Sequence, residues 1–155
     1  MAKVSVGKKV PAFSAEATSG QKISSKDLLG KTYVLYFYPR DNTPGCTTEG
    51  EAFRDLHAKF KRRKVTVFGV SRDSLASHER FKAKFDFPFE LIADPEEKLC
   101  LLFDVMKDKN MYGKKVRGIE RSTFLFDADG VLRKEWRKVK IDGHAEEVLE
   151  AAKAL

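Results

Sequence analysis

Cysteine is scarce in this chain of 155 residues, which has only two, Cys46 and Cys100. Two cysteines are too few for a disulfide framework, and neither lies in a CxxC pair or in a Cys/His cluster spaced for zinc. The three histidines, His57, His78 and His144, stand at unrelated positions, and their spacing suggests no metal site. We therefore expect one cysteine to carry redox or nucleophilic chemistry.

Long apolar runs are also missing. No stretch approaches the roughly 20 residues that span a bilayer, and the first nine residues lack the apolar segment of a signal peptide. We therefore expect a cytoplasmic protein that does not bind a membrane. A chain of 155 residues with 42% hydrophobic content is long enough for one well-formed core, so we predict a single domain over residues 1–155.

The charge of the chain is biased toward the basic side, with a formal net charge of +7. Basic residues cluster at 61–64, 107–117 and 133–140, and such clusters can bind nucleic acid. Two of these clusters lie at a helix end or in a predicted loop, and no aromatic RNA-binding signature or helix-turn-helix pattern accompanies them. We therefore expect no specific nucleic-acid partner.

Apolar residues recur along the chain in patterns typical of alternating strands and helices. The predicted strands lie at 32–38, 65–71, 89–92, 122–126 and 131–136. The predicted helices lie at 47–62, from Ser74 or Ser77 to about residue 84, at 96–103 and at 145–154, with a short helical turn at 24–29 and a polar loop at 107–118. This order predicts an α/β protein with a thioredoxin-like fold, in which a mixed central sheet has helices on both faces.

The segment from Pro39 to Cys46 joins the first long strand to the helix that follows it. Cys46 is thereby placed at the first turn of that helix, beyond the carboxyl end of the strand, where open sheets build their sites. Unpaired backbone N–H groups and the positive end of the helix dipole favour a thiolate there, and the thiolate is the nucleophilic form of cysteine.

Five blocks of sequence resemble the peroxiredoxins, in particular their bacterioferritin comigratory protein or PrxQ branch. Pro39, Thr43 and Cys46 match the family pattern Pro-x-x-x-Thr-x-x-Cys. The matching blocks are residues 36–39, 43–47, 69–71, 91–94 and 121–127. The resemblance implies a thioredoxin-like fold and a thiol-dependent peroxidase that reduces hydrogen peroxide and organic hydroperoxides, with no metal, haem or flavin.

The resemblance also implies roles for four residues. Cys46 is the peroxidatic cysteine, whose sulfur attacks a peroxide oxygen. Thr43 can accept a hydrogen bond from the peroxide and donate one toward the sulfur, while Pro39 restricts the loop and shields the sulfur from water. Arg121, distant in sequence, reaches the cysteine, where its permanent charge favours the thiolate and its paired donors hold the peroxide.

Two further charged residues near Cys46 have two interpretations each. Glu49 either helps to position Arg121 or is a carboxylate placed near the start of a helix because the dipole favours it there. Arg54 is either a supporting cation of the site or a partner of Glu51 or Asp55 on the helix surface.

The second half of the catalytic cycle lacks an obvious second cysteine. In many members of the branch a resolving cysteine lies five residues after the first, where this chain has Glu51, or in the following helix near Ala83. The remaining thiol, Cys100, lies beside apolar residues, as expected of a packed cysteine. We predict a one-cysteine cycle with an external thiol reductant, thioredoxin or glutaredoxin with glutathione, and a monomer that can form a transient dimer through Cys46. A Cys46–Cys100 disulfide is the alternative cycle.

Two other classes of function are alternatives to the peroxidase. A thiol-disulfide oxidoreductase on the same fold would need a CxxC pair, but Glu49 occupies the position three residues after Cys46. A non-catalytic binding or holdase protein would need no activated cysteine, and Thr43 and Arg121 would then be freely replaceable.

Overall fold

The structure, a computed structural model, describes residues 4–155, which form nine strands and five helices. In chain order the elements are β1 (Ser14–Glu16), β2 (Lys22–Ser24), β3 (Thr32–Phe37), α1 (Pro44–Asp55), α2 (His57–Arg62), β4 (Val65–Ser71), α3 (Leu75–Lys84), β5 (Glu90–Ala93), α4 (Lys98–Leu102), β6 (Met106–Met111), β7 (Lys114–Ile119), β8 (Ser122–Phe126), β9 (Leu132–Trp136) and α5 (His144–Lys153).

The central sheet has five strands in the order β5-β4-β3-β8-β9. Strands β3, β4 and β5 are parallel, whereas β8 pairs antiparallel with β3 and β9 pairs antiparallel with β8. The predicted mixed sheet of a thioredoxin-like fold is therefore confirmed. Because β3 is parallel to β4 and antiparallel to β8, the carboxyl end of β3 lies beside the beginning of β8, and the loops of both strands meet at one edge.

The sheet separates two apolar cores, because alternate residues of a strand point to opposite faces. The first core contains Tyr36 and is covered by α1, α2, α3 and α5. The second core contains Leu35 and is covered by α4, together with Phe13 and Ile23 from the N-terminal part of the chain. Helices thus cover both faces, as predicted.

The prediction of a polar loop over residues 107–118 is wrong. Strands β6 and β7 pair there as an antiparallel hairpin, and its turn residues Tyr112 and Gly113 have φ values of +53° and +80°, as tight hairpin turns require. Neither strand shows apolar alternation, because the hairpin stands apart from the central sheet and both of its faces are largely exposed. Tyr112 itself is 98% exposed.

Three predicted helices differ in extent from the observed ones. The helix expected at 47–62 begins earlier, at Pro44, and is divided at Leu56 into α1 and α2. After Ser24, the last residue of β2, residues 25–29 form successive turns rather than helix, although the Ser24 hydroxyl accepts a hydrogen bond from the Asp27 amide as a cap would. Helix α4 begins only after Glu97, which is in the left-handed conformation. Among residues 4–155, no helix combines the length and hydropathy needed to cross a membrane.

His144, the first residue of α5, is buried, and its ring makes edge-on contacts with the rings of Phe53 in α1 and Trp136 in β9. Its Nε2 atom lies 2.8 Å from the Thr123 hydroxyl of β8. Burial lowers the pKa of His144 to about 4, so the imidazole is neutral in the folded protein at neutral pH. In the unfolded chain the same group takes up a proton near pH 6.5.

This difference in the pKa of His144 between the folded and unfolded states predicts that the folded protein loses stability at acidic pH. As the pH falls from about 6.5 toward about 4, the unfolded chain binds a proton that folded His144 does not, so the free energy of unfolding decreases. We expect the His144→Gln variant to lose less stability than the wild type over this range, by about 2 kcal/mol at about pH 5. Urea unfolding at several pH values measures the difference.

The matched control is His57→Gln, which removes a partly exposed imidazole and should change the pH dependence much less. Equal pH dependence of the wild type and His144→Gln would contradict the assignment.

Candidate active site

The cysteine loop, which we define as residues 38–46, begins where β3 ends and finishes in the first turn of α1. Asn42 has a positive φ of 59°, which turns the chain, and Thr43 is the extended N-cap residue before Pro44 at the start of the helix. Cys46 follows in the first turn and is only 2% exposed. The structure therefore places Cys46 at the helix start, as predicted, and below the protein surface.

Arg121 reaches this cysteine because β8 runs antiparallel to β3. Phe37, the last residue of β3, is paired with Ser122, so Arg121 lies beside the start of the cysteine loop. Its Nη2 atom donates to Cys46 Sγ over 3.5 Å. Gly45 leaves room for this approach, since a Cβ there would lie 3.2 Å from the same Nη2 atom.

Glu49 holds the other side of the guanidinium. Arg121 Nη1 donates to Glu49 Oε1 over 2.6 Å, and the Glu49 side chain is 2% exposed. Burial raises the pKa of Glu49 to about 7, and Arg121 opposes this shift. Burial by itself would lower the pKa of Arg121, but neighbouring Glu49 and Cys46 raise it. Of the two interpretations of Glu49, the structure supports the positioning of Arg121.

Thr43 and Pro39 are in the loop but do not contact the sulfur through a hydrogen bond. The Thr43 hydroxyl donates to the carbonyl oxygen of Arg40 over 2.9 Å, not toward Cys46 as predicted. This bond closes the turn before α1, and it leaves the hydroxyl oxygen able to accept a hydrogen bond. Pro39 is half-buried at the start of the loop.

Arg54 belongs to the helix surface. Its Nε atom donates to Asp55 over 3.0 Å, and its Nη1 atom lies 3.7 Å from Glu51 and donates to the Phe85 carbonyl over 2.9 Å. The interpretation of Arg54 as a surface ion-pair residue is therefore the one that the structure supports.

Sequence reasoning missed Tyr36, whose hydroxyl lies in the first core together with Cys46 and Glu49. Among the described residues, the Tyr36 hydroxyl and Glu49 Oε2 are buried without a hydrogen-bond partner. Burial raises the pKa of Tyr36, and the negative charges of Glu49 and Cys46 raise it further, so the phenol is a neutral donor. Tyr36 lies in the family-matching block 36–39, but its pattern in sequence is that of any other residue of a buried strand, so the sequence assigns it no role.

Lys109, another residue that the sequence did not single out, extends from the hairpin toward Ile119, whose carbonyl accepts a hydrogen bond from its amine. Burial and the nearby charge of Arg121 lower the pKa of Lys109. The pattern in sequence predicted a polar loop at 107–118 and did not place this second cation beside the site.

A cluster of possible metal ligands lies next to the loop, although the spacing of the histidines in sequence suggested no such grouping. Asp41, Asp73 and His78 offer ligand atoms within 4.8 Å of one another. Protein hydrogen bonds already engage the facing atoms of all three side chains. A tightly hydrogen-bonded set of this kind does not fit a bound cation, and the expected absence of a metal cofactor stays a prediction.

Cys100 lies on the other side of the sheet from Cys46. It belongs to the second core, whereas Cys46 belongs to the first. The Asp94 carboxylate accepts hydrogen bonds from the backbone amides of Leu99 and Cys100 over 3.1 and 2.8 Å. Burial raises the pKa of Cys100, and Asp94 raises it further, so this thiol is inert.

Comparison with known proteins identifies the class to which this fold and site belong. The AhpC/TSA family matches residues 6–135 of the chain. Peroxiredoxin Bcp from Xanthomonas campestris is 51% identical over 137 residues, covering 88% of this chain and 86% of the relative. Peroxiredoxin Bcp from Bacillus subtilis is 47% identical over 150 residues, covering 97% and 96%.

Solved structures agree with this assignment. The chain superimposes on a mutant PrxQ from Xylella fastidiosa with a TM-score of 0.92 and 43% identity, covering 97% of this chain and 96% of that one. The bacterioferritin comigratory protein of Xanthomonas campestris, solved to explain its alkyl peroxide reduction activity, gives a TM-score of 0.87 and 48% identity, covering 92% and 90%. The chain belongs to the AhpC/TSA family and, within it, to the Bcp or PrxQ peroxiredoxins. It is a thiol-dependent peroxidase, and peroxiredoxins take a peroxide as substrate and a thiol as reductant.

The close approach of Arg121 to Gly45 leads to a test of the site geometry. The Gly45→Ala variant places a methyl group 3.2 Å from Arg121 Nη2 and 3.4 Å from Ile141 Cδ1. We expect the guanidinium to move away from Cys46, so that the rate constant for oxidation by hydrogen peroxide falls roughly tenfold. Rapid-mixing kinetics of thiol loss measure this rate.

The midpoint temperature of thermal unfolding of the same variant should stay nearly the same or rise slightly, since alanine is a better helix former than glycine by about 1 kcal/mol. The exposed Thr48→Ala substitution in the same helix is the matched control and should react at the wild-type rate. A wild-type rate in Gly45→Ala would show that the separation of Arg121 and Cys46 does not limit the reaction.

Proposed function

We propose that Cys46 is the thiol that this peroxidase oxidises, and that its substrates are hydrogen peroxide and organic hydroperoxides. One observation carries the proposal: a partly buried guanidinium, that of Arg121, donates to the Cys46 sulfur at a helix start while Glu49 fixes its other side. A thiolate and the oxyanion of a leaving group both need positive charge and N–H donors, and this arrangement supplies them. The relative from Xanthomonas campestris with alkyl peroxide reduction activity supports the inclusion of organic hydroperoxides.

In the first step an electron pair of the Cys46 thiolate forms a bond to one peroxide oxygen, and the O–O bond breaks. The cysteine is oxidised to a sulfenic acid, and the other oxygen leaves as hydroxide or alkoxide, which takes a proton to become water or an alcohol. Arg121 stabilises both the thiolate and the leaving oxygen. Thr43 accepts a hydrogen bond from the peroxide, and Pro39 limits the conformations of the loop.

The second step uses an external thiol. The thiol attacks the sulfenic acid, so that water leaves and a mixed disulfide forms, and a second thiol then releases Cys46 and becomes part of a new disulfide. The location of Cys100 across the sheet and the presence of Glu51 and Ala83 at the alternative positions support this cycle over an internal Cys46–Cys100 disulfide.

Burial of Cys46 bears on the nature of the reductant. With 2% of its surface exposed, Cys46 can be approached by a small peroxide, whereas a protein thiol requires the start of α1 to open. The N-cap residue Thr43 makes no side-chain bond to the helix amides, which lowers the cost of that opening. Thioredoxin and glutaredoxin with glutathione are the proposed reductants.

The remaining proposals concern the state of the protein. The resemblance to the PrxQ branch supports a monomer, with a transient dimer through Cys46 during oxidation. Cytoplasmic localisation, one domain over residues 1–155 and the lack of a nucleic-acid partner stay predictions from the sequence.

Intact mass spectrometry after one equivalent of hydrogen peroxide tests the proposed cycle directly. With a sulfenic-acid trap present, we expect one trap adduct per chain in the wild type and in Cys100→Ser, and none in Cys46→Ser. The reason is that only Cys46 combines a thiolate-stabilising site with access to peroxide.

Two outcomes would contradict the proposal. A loss of two hydrogens within one chain, seen in the wild type but in neither variant, would establish an internal Cys46–Cys100 disulfide. A wild type that forms neither product would show that Cys46 does not react with peroxide.

A further inference from the structure

A buried carboxylate, Asp41, anchors the middle of the cysteine loop. Its Oδ1 atom accepts a hydrogen bond from the Tyr38 hydroxyl over 2.6 Å. Its Oδ2 atom accepts from the Ser77 hydroxyl and lies 2.7 Å from His78 Nδ1. The side chains of His78 and Asp41 are 0% and 3% exposed, so water competes little for these bonds.

The anchor is connected to three other elements of the fold. His78 belongs to α3, and its Nε2 atom lies 2.9 Å from the carbonyl oxygen of Ile92 in β5. The backbone amide of Asp41 donates to Asp73 Oδ2 over 2.9 Å, just beyond β4. Asp41 is therefore fixed through both its side chain and its backbone to elements that do not themselves carry Cys46.

The hydrogen-bond partners fix the orientation of the imidazole ring. Its Nδ1 atom faces a carboxylate oxygen of Asp41 that already accepts a hydrogen bond from Ser77, and its Nε2 atom faces the carbonyl oxygen of Ile92. Both contacts are short, at 2.7 and 2.9 Å, so the ring is held at its two nitrogen atoms.

We infer that the hydrogen-bonded pair of His78 and Asp41 positions the cysteine loop for the attack on peroxide, with His78 as a positioning residue that acts through Asp41. The inference rests on the proposed role of Cys46. Only Asn42, in the left-handed conformation, lies between Asp41 and Thr43, so the location of Asp41 determines where the N-cap of α1 and the cysteine begin. Neither member of the pair hydrogen-bonds to the sulfur or to Arg121.

Two substitutions of the same histidine separate positioning from a merely structural role. His78→Asn keeps a donor close to the place of Nδ1, facing Asp41, and loses the bond to Ile92. His78→Gln keeps a donor close to the place of Nε2, facing Ile92, and loses the bond to Asp41. We expect His78→Asn to react with hydrogen peroxide within about threefold of the wild-type rate, and His78→Gln to react roughly 10- to 100-fold more slowly.

The stability of both variants should fall, because each loses one buried hydrogen bond. The matched control is Ser74→Ala, which removes the N-cap of the same helix without touching Asp41. It should be less stable but should react at the wild-type rate. Alkylation by chloroacetamide, which does not require an aligned peroxide, should stay within about threefold of the wild type in all three variants.

The outcomes distinguish this inference from the function on which it rests. If the wild type consumes peroxide through Cys46 while His78→Asn and His78→Gln lose rate equally, or neither loses it, the positioning role is wrong and the peroxidase role stands. If the wild-type thiol does not react with peroxide at all, the proposed role of Cys46 fails first.

Discussion

Arg121 lies between a buried carboxylate and a buried thiol, and the rest of the site is arranged around this contact. Its side chain is 16% exposed and that of Glu49 is 2% exposed, so neither charge is well hydrated. An unpaired charge in such surroundings is unfavourable, so each member of the pair holds the other in place. The pair therefore keeps a cation beside Cys46, where the proposed reaction needs one.

The sheet makes this contact possible between residues that are far apart in sequence. Because β8 is antiparallel to β3, the residue before β8 returns to the place where the cysteine loop leaves β3. Gly45 then permits the close approach of the guanidinium, and Asp41, paired with His78, ties the loop to α3 and β5. Two sets of buried polar bonds thus hold the loop from opposite sides, one at the cysteine and one at its middle.

The sequence was sufficient for features that depend on local patterns. The buried strands and the location of Cys46 near a helix start could be predicted from apolar runs and from the Pro39 to Cys46 motif, and the family resemblance pointed to Arg121. Exposed strands could not be predicted, since the hairpin around Tyr112 has no buried face to impose alternation. The role of His78 could not be predicted either, because its partner Asp41 is brought to it only by the packing of α3 against the loop.

The most direct test of the account is the rate constant for oxidation of Cys46 by hydrogen peroxide in Arg121→Lys and Arg121→Gln. Lysine keeps the positive charge but has a single nitrogen atom, so it cannot reproduce the donation from Nη1 to Glu49 and from Nη2 to Cys46. We therefore expect roughly a 10- to 100-fold loss of rate. Glutamine also removes the charge, and the loss should be larger. A rate within threefold of the wild type in Arg121→Gln would contradict the central claim that this guanidinium activates the cysteine.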